Sequence, residues 1–455
     1  MKHLTSLLSA WIVLTGTAST CMAADPPDLQ TLANRFVESE LAPGIAIGIL
    51  DENGRVSTAC AGTLVAGGSR PVTPDTIFEI GSITKVFTVA IAHLLEQQGD
   101  LSLSDPLSMH LPDGIEARTV DGNEILLWHL ATHTSGLPRE PPGLDPWPTP
   151  YADYDVRKIH EFLAETGPER RPGEQYAYSN LGMILLGDIL ERNQGSTYPE
   201  LVRKHILAPL GMTSTSCRPS TSQAGRTADA HEGMTPFPAW DLGGISSVGD
   251  LDSSLRDMLT FARANLSEER TKLHETLRDI QVPRVARNEP DLRLGLGWFV
   301  GEKTDPVVWH GGATGGVRSF MGFLPESNRA VVVLANSTNA TQHLNMIGLH
   351  LLSDELVGLD MLRWATTQDD LDQYAGRYRA GESSFLLERR GNMIHARLDE
   401  QPRIAFRQVD EDLIVHDQHL AYLRFKRDEE ERIIALVLEQ NGNRTRYDRE
   451  STTKR

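Results

Sequence analysis

At 455 residues the chain has room for two or three domains, and 40% hydrophobic with 23% charged residues is the composition of a soluble globular protein. A formal net charge of −18 argues against a nucleic-acid partner, whose phosphates are held by clustered Lys and Arg, and it disfavours an anionic membrane surface.

Met1, Lys2 and His3 lead into an apolar run over residues 4–18 and then into Ser19-Thr20-Cys21-Met22-Ala23-Ala24. A basic start, a short apolar middle and a small-residue exit spell a signal peptide over 1–24, too short and wrongly flanked to span a membrane. Cleavage near Ala23 or Ala24 makes the mature protein exported, periplasmic or secreted, with no integral membrane span. A lipid anchor on Cys21 is the rival reading, although Ala18 stands where a lipobox usually carries Leu. Cys60 and Cys217 are too few for a disulfide framework, and whether they pair stays open; Cys60, among small apolar residues in a predicted strand, reads as a buried, inert thiol.

Residues 43–50 and 56–61 are apolar runs joined through Asn53-Gly54, a hairpin signal. Ser82-Ile83-Thr84-Lys85 follows, at the head of a helix that is apolar on nearly every side over residues 86–95. The serine and lysine share one face there. Lysine is the wrong charge for the positive end of a helix dipole, and a buried amine at that place loses its preference for the ammonium form, so it can take a proton from a hydroxyl. Ser82 also reads as a plain N-cap, but a capping box would put Glu or Gln where Lys85 stands. Ser451-Thr452-Thr453-Lys454 shows that the same spacing arises by chance in a polar tail.

From about residue 101 to 258 the pattern is mainly helices and long loops. His129 and His133 have the i, i+4 spacing of metal ligands, yet no His-Glu-x-x-His accompanies them, and no metal is expected. Residues 136–151 carry six prolines around Trp147, read either as a stiff connector or as a cleft-rim loop that sorts substrates. Tyr178-Ser179-Asn180 opens a helix with a stripe at Leu181, Ile184, Leu185 and Ile189; its residues suit capping and packing, or a second proton relay beside Ser82 and Lys85. Predicted strands return at 307–309, 319–324 and 330–335. The first runs into His310-Gly311-Gly312, whose glycines let a substrate approach the backbone. His231-Glu232-Gly233 is a decoy expected in a loop. Strands from both ends of one domain predict an antiparallel sheet flanked by helices, closed by a last helix from about residue 341, with a mainly helical lobe alongside and a cleft between. Short alternating runs from 371 to 447 predict a separate all-β, barrel-like domain.

With these three motifs in order, the chain resembles the penicillin-recognising serine hydrolases, the family of class C β-lactamases, DD-peptidases and related esterases. The likeness extends through Phe78-Glu79-Ile80-Gly81, residues 130–138, Pro209-Leu210-Gly211-Met212, residues 243–247 and Gly295-Leu296-Gly297-Trp298, and so over about residues 28–340. It implies an α/β (α+β) β-lactamase-like fold over 25–365 and, from its tail, a lipocalin-like β domain over 366–455. It implies that Ser82 is acylated, that Lys85 and Tyr178 exchange its proton, and that Asn180 holds Lys85 and touches the substrate amide. His310, Gly311 and Gly312 would line the substrate strand, and the backbone N–H groups of Ser82 and Ala313 would bind the oxyanion. No metal or organic cofactor is implied.

β-Lactamases of the family usually carry Lys-Thr-Gly where this chain has His310-Gly311-Gly312. A neutral imidazole is a weaker carboxylate anchor than an ammonium, which favours D-amino-acid-containing peptides or small esters over β-lactams. Activity on carboxylate-bearing substrates is then expected to rise as His310 becomes protonated. A class C-like β-lactamase and a penicillin-binding sensor that acylates without turnover are the alternatives, and the oligomeric state stays open.

Overall fold

The computed structural model describes residues 29–450 apart from 145–150, 152–153, 287–291, 302–305, 354–370 and short gaps at 382, 391–392, 400, 402, 411, 417–420, 429 and 441–442. The signal segment, Cys21, Trp147 and Ser451–Lys454 decoy therefore lie outside the described residues. Those up to 353 and those from 371 belong to different compact units, except that the first few residues from 29 group with the latter.

The first unit is built on an eight-stranded antiparallel sheet. Its order is Val56–Gly62, Gly44–Leu50, Arg329–Ala335, Arg318–Leu324, Val308–Ala313, Phe299–Gly301, Leu292–Leu294 and Val285–Ala286. The predicted hairpin is present, with Gly54 N–H donating to Asp51 O across its turn at 2.9 Å. Gly44–Leu50 pairs on its other side with Arg329–Ala335, so an early and a late strand close the sheet together. Three short strands between 285 and 301 extend it beyond the expected set. Their runs of two or three residues are too short to show a period of two.

Helices Leu255–Leu266 and Thr341–Leu352 pack on the sheet. The helical lobe centres on Thr84–Gln98, buried at every position from Thr84 to Leu95. Phe87 stacks on Phe261 with ring centroids 4.1 Å apart, and Gly99 ends the helix in the left-handed conformation, its N–H bonded to Glu96 O. Asn180–Gln194 packs against it. A helix wrapped in this way presents its first turn to the interior, where an ionisable group meets little water.

The second unit is a closed barrel of eight strands, each antiparallel to the next, from Gly376–Ala380 to Asn443–Arg449. The last strand meets the first through Tyr378↔Arg449 and Arg379↔Asp448. Inward side chains such as Tyr374, Tyr378, Phe385, Phe406 and Phe425 fill its middle. Six strands were legible as alternating runs; the outer two, Gly-Arg-Tyr-Arg-Ala and Asn-Arg-Thr-Arg-Tyr-Asp-Arg, bury single tyrosines between polar residues and give no such pattern.

Candidate active site

Ser82 sits in a single 3-10 turn, Gly81–Ile83, that runs straight into the helix Thr84–Gln98. Its hydroxyl caps nothing. Instead Lys85 Nζ donates to Ser82 Oγ at 3.0 Å and to Val248 O at 2.7 Å. Lys85 is 1% exposed, and burial brings its pKa down to about 7, with Glu140 opposing the shift and Arg139 adding to it. Ser82 itself is half-buried and reachable.

The turn is pressed against the strand Val308–Ala313 backbone to backbone. Gly81 has φ +51°, and a Cβ there would come 2.7 Å from Ala313 N. A Cβ on Gly312 would stand 1.9 Å from Ile80 O, so the second glycine of His310-Gly311-Gly312 is needed for this approach. Ser319 Oγ, on the next strand, donates to Ile80 O at 2.8 Å and ties the two together. The three residues lie inside the strand rather than beyond its end, paired with Met321, Phe320 and Ser319.

The loop that supplies Val248 O is fastened to the same helix by consecutive turns. Leu251 N donates to Thr84 Oγ1 at 3.2 Å, and Thr88 Oγ1 donates to Ser247 O at 2.6 Å. Behind it, Gly187 leaves room for Ser247, whose Oγ would lie 2.1 Å from any Cβ there. The carbonyl that holds the amine is thus clamped between two buried helices.

Tyr178 stacks on His133, with centroids 4.3 Å apart, and the Lys85 and Arg139 cations stand 5.2 and 4.9 Å from its ring. Burial pushes the phenol pKa upward, and the neighbouring Ser82 hydroxyl works the other way. Segment 133–140 sets this geometry. His133 Nδ1 accepts from Ser179 N at 3.1 Å, His133 O from Ala177 N at 2.8 Å, and Arg139 O from Asn180 N at 2.7 Å. Ser179 caps its helix, accepting from Gly182 N at 2.9 Å and donating to Pro138 O at 2.7 Å. An accepting Nδ1 makes His133 a neutral ring carrying its proton on Nε2.

Asn180 departs from expectation. Its amide nitrogen donates to both Glu140 oxygens, at 2.9 and 3.0 Å, and not toward the lysine; Asn180 Oδ1 is buried with no hydrogen-bond partner among the described residues. Tyr151 OH donates to the same carboxylate at 2.5 Å. Lys85 is held by the Val248 carbonyl in its place. Neither Glu140 nor Val248 was legible as a site residue, because no spacing rule links either to Ser82.

His310 also differs. It is 2% exposed, and burial first, then the Lys85 charge, brings its pKa down to about 3. Its Nδ1 donates to Gly311 O at 2.7 Å, which leaves Nε2 as an acceptor. With burial holding the imidazole neutral down to about pH 3, a gain from protonating His310 is not expected near neutral pH, where the ring offers a lone pair.

The decoys resolve structurally. Helix Leu127–Ala131 stops before His133, which has φ +55°, so His129 and His133 share no helical face. No group of ligands placed to hold a metal ion occurs among the described residues. His231–Glu232 forms a minimal strand against Thr235–Pro236, with His231 Nε2 accepting from Ala66 N at 3.2 Å. Cys60 is half-buried rather than buried, Cys217 is 6% exposed, and the two form no disulfide with each other. No helix of the described residues is long and apolar enough to cross a membrane.

Comparison with known proteins gives the same frame. A D-alanyl-D-alanine-carboxypeptidase/endopeptidase, AmpH, of Escherichia coli K12 is 32% identical over 336 residues, 70% of this chain and 86% of that protein. The octameric penicillin-binding protein homologue from Pyrococcus abyssi superposes with a TM-score of 0.62 at 25% identity, over 90% of this chain and 97% of its own. A β-lactamase/D-alanine carboxypeptidase from Yersinia pestis, complexed with citrate, matches 71% of this chain and 95% of its own, with TM-score 0.62 and 28% identity. The Beta-lactamase family model spans residues 29–352, the stretch that carries Ser82, Lys85, Tyr178 and His310, and the chain accordingly belongs to the β-lactamase family of serine hydrolases.

Proposed function

We propose that the protein cleaves D-amino-acid-containing peptides or small esters through an acyl group carried on Ser82. The observation that supports this most is the Lys85 amine, sealed from water at 3.0 Å from Ser82 Oγ and brought to about pKa 7. Near neutral pH a large share of it is an unprotonated amine, able to accept the Ser82 proton as Oγ attacks the substrate carbonyl carbon. The negative charge on the carbonyl oxygen would be taken by the N–H groups of Ser82 and Ala313. Tyr178, whose pKa is pushed upward, keeps its proton and is suited to hand it to the leaving group as the carbonyl re-forms. Lys85 then passes the serine's proton to the Tyr178 phenolate, water attacks the acyl-enzyme with the restored neutral amine as base, and the proton taken from water passes to Ser82 Oγ as the acid product leaves. Asn180 Oδ1 is suited to accept an N–H from the substrate.

Peptides and esters are favoured over β-lactams because His310 and Gly311 offer neither the cation nor the hydroxyl of Lys-Thr-Gly, and because the Escherichia coli relative is a carboxypeptidase/endopeptidase by name. Purified mature protein, assayed with D-alanyl peptides, nitrophenyl esters and nitrocefin beside Ser82→Ala, is expected to turn over the first two. Efficient nitrocefin hydrolysis with the others at background would reverse the order, and a β-lactam adduct that persists in mass spectrometry would favour a sensor. We further propose export by cleavage near Ala23 or Ala24, to be read by N-terminal sequencing. The eight-stranded up-and-down barrel supports a lipocalin-like domain from about residue 366, and limited proteolysis cutting first near that point would support the boundary.

A further inference from the structure

Beside the acyl site, in the same unit, lies a cavity of about 550 Å³ whose walls include Glu79, Asp250, Asp252, Phe237 and Trp240. It adjoins the chemistry through the chain itself: Gly249 and Thr314, which also line it, follow Val248 and Ala313. Trp240 meets the ring of Tyr151 edge-on at 5.5 Å, and the Tyr151 hydroxyl donates to Glu140.

Two of the carboxylates break a basic rule of strand pairing. Glu79 and Asp252 are register partners in the ladder between Ile77–Glu79 and Asp252–Ser254, so like charges stand directly opposite each other. Asp252 is 9% exposed, and its carboxylate has no hydrogen bond or ion pair among the described residues; Glu79 Oε2 has no hydrogen-bond partner among them, and burial raises the pKa of that carboxyl, while Thr314, the Trp240 backbone and the Arg318 charge favour its ionised form. Burial and mutual repulsion hold Asp252 well above the usual carboxylate range, and burial brings Asp250, which accepts from Ser246 Oγ at 2.6 Å, to about 7.

Two cations stand nearby, and each also acts on a lining carboxylate, Arg218 on Asp250 and Arg318 on Glu79. Arg218, on the wall, pairs with Asp241 at 2.8 Å, and the buried Arg318, which attracts Glu79, donates through Nη1 to Thr314 O and Val317 O. Asp229 adds a further carboxylate to the lining. The cavity is therefore acidic with two aromatic walls, and the absence of a metal-holding cluster among the described residues points away from a bare divalent ion. An alkylammonium group fits: its charge answers Glu79 and Asp252, and its methylenes and charge both suit the faces of Phe237 and Trp240.

We propose that this cavity is a subsite for an alkylammonium group, carried on a side chain of the substrate that acylates Ser82. This rests on the peptide reading above.

The test pairs N-acetyl-lysyl-D-alanyl-D-alanine with its norleucyl counterpart on the purified mature protein. An approximately 10-fold or greater kcat/KM preference for the lysyl peptide is expected, with n-butylammonium chloride competing against that peptide alone and the preference falling in Asp252→Asn and Glu79→Gln. Binding of n-butylammonium to Ser82→Ala is followed by calorimetry, independently of any turnover. Its affinity is expected to increase as pH rises through about 7, where Asp250 on the same wall ionises, because the cation binds the ionised form. Binding with equal lysyl and norleucyl kcat/KM would overturn the assignment to a substrate side chain and leave a free amine as the ligand. If neither peptide is cleaved, the peptide reading fails while the calorimetry still decides the cavity. Equal peptides, with no heat from n-butylammonium at up to about 100 mM where weak ammonium sites fill, would overturn the proposal, and both measurements use protein that needs no cavity substitution.

Discussion

Lys85 and the Glu79–Asp252 pair are buried ionisable groups of opposite type in one unit, and burial shifts each toward its neutral form. The amine is bonded to a hydroxyl and a carbonyl, both held by rigid neighbours. The carboxylates face each other across a ladder with a cavity between the strands and the aromatic wall. Burial lowers the amine's pKa to about 7 and raises those of Glu79 and Asp252. The amine is fully oriented for bond-making, whereas the Asp252 carboxylate is left short of partners, as the proposed subsite requires.

The strongest way to break the comparison is at the amine. Ser82→Ala is expected to lower ester and peptide kcat by about 10⁴-fold or more, and Lys85→Met by about 10³-fold, measured by single-turnover kinetics with unfolding curves as a control for folding. If Lys85→Met retained most of its activity, burial of the amine would have no catalytic meaning. Next in size is Glu140. Glu140→Ala releases the Asn180 amide and Tyr151 and is expected to reduce kcat/KM by about 30-fold; Glu140→Gln, which keeps one acceptor, should recover part of that.

The pH profile sharpens the contrast further. Lys85 acts unprotonated, so kcat/KM should rise with pH through about 7. Glu140 holds the lysine pKa up, so Glu140→Gln should move the rise to lower pH. An unmoved midpoint would show that the carboxylate does not act through the amine. The smallest effect is on stability. The folded-state pKa of Asp252 is raised, so its burial weakens folding as pH climbs above the unfolded value of about 4. Asp252→Asn should therefore stabilise the protein by about 1 kcal/mol at pH 8, a gain that disappears below about pH 4, read from urea unfolding.

What the sequence made legible was whatever follows from local pattern. The Asn53-Gly54 turn, the apolar helix behind Ser82, the helix opened by Tyr178-Ser179-Asn180 and the late strands each have a period or a turn residue of their own. The partners of the site do not. Val248 meets Lys85 across 163 residues, and it contributes a backbone carbonyl, which every residue possesses. Glu140 lies 40 residues from Asn180 in a proline-rich stretch that reads as a connector. The His310 charge state depended on how deeply the strand Val308–Ala313 is covered, and no residue spacing encodes coverage. The Glu79–Asp252 pair was hidden for a similar reason: each looks like an ordinary surface acid until a three-residue ladder sets them opposite each other.

The closure of the sheet by strands from far-separated stretches has a consequence during translation. Gly44–Leu50 leaves the ribosome early but gains its inner neighbour only when residues 329–335 have been made, and Gly44 N finds Asn336 across 292 residues. Long-range pairings of this kind form late, after the loops between them can close. The strand pairing that frames the reactive serine is therefore complete only when nearly the whole hydrolase unit has been made. Strand order thus sets when the acyl site can first be assembled.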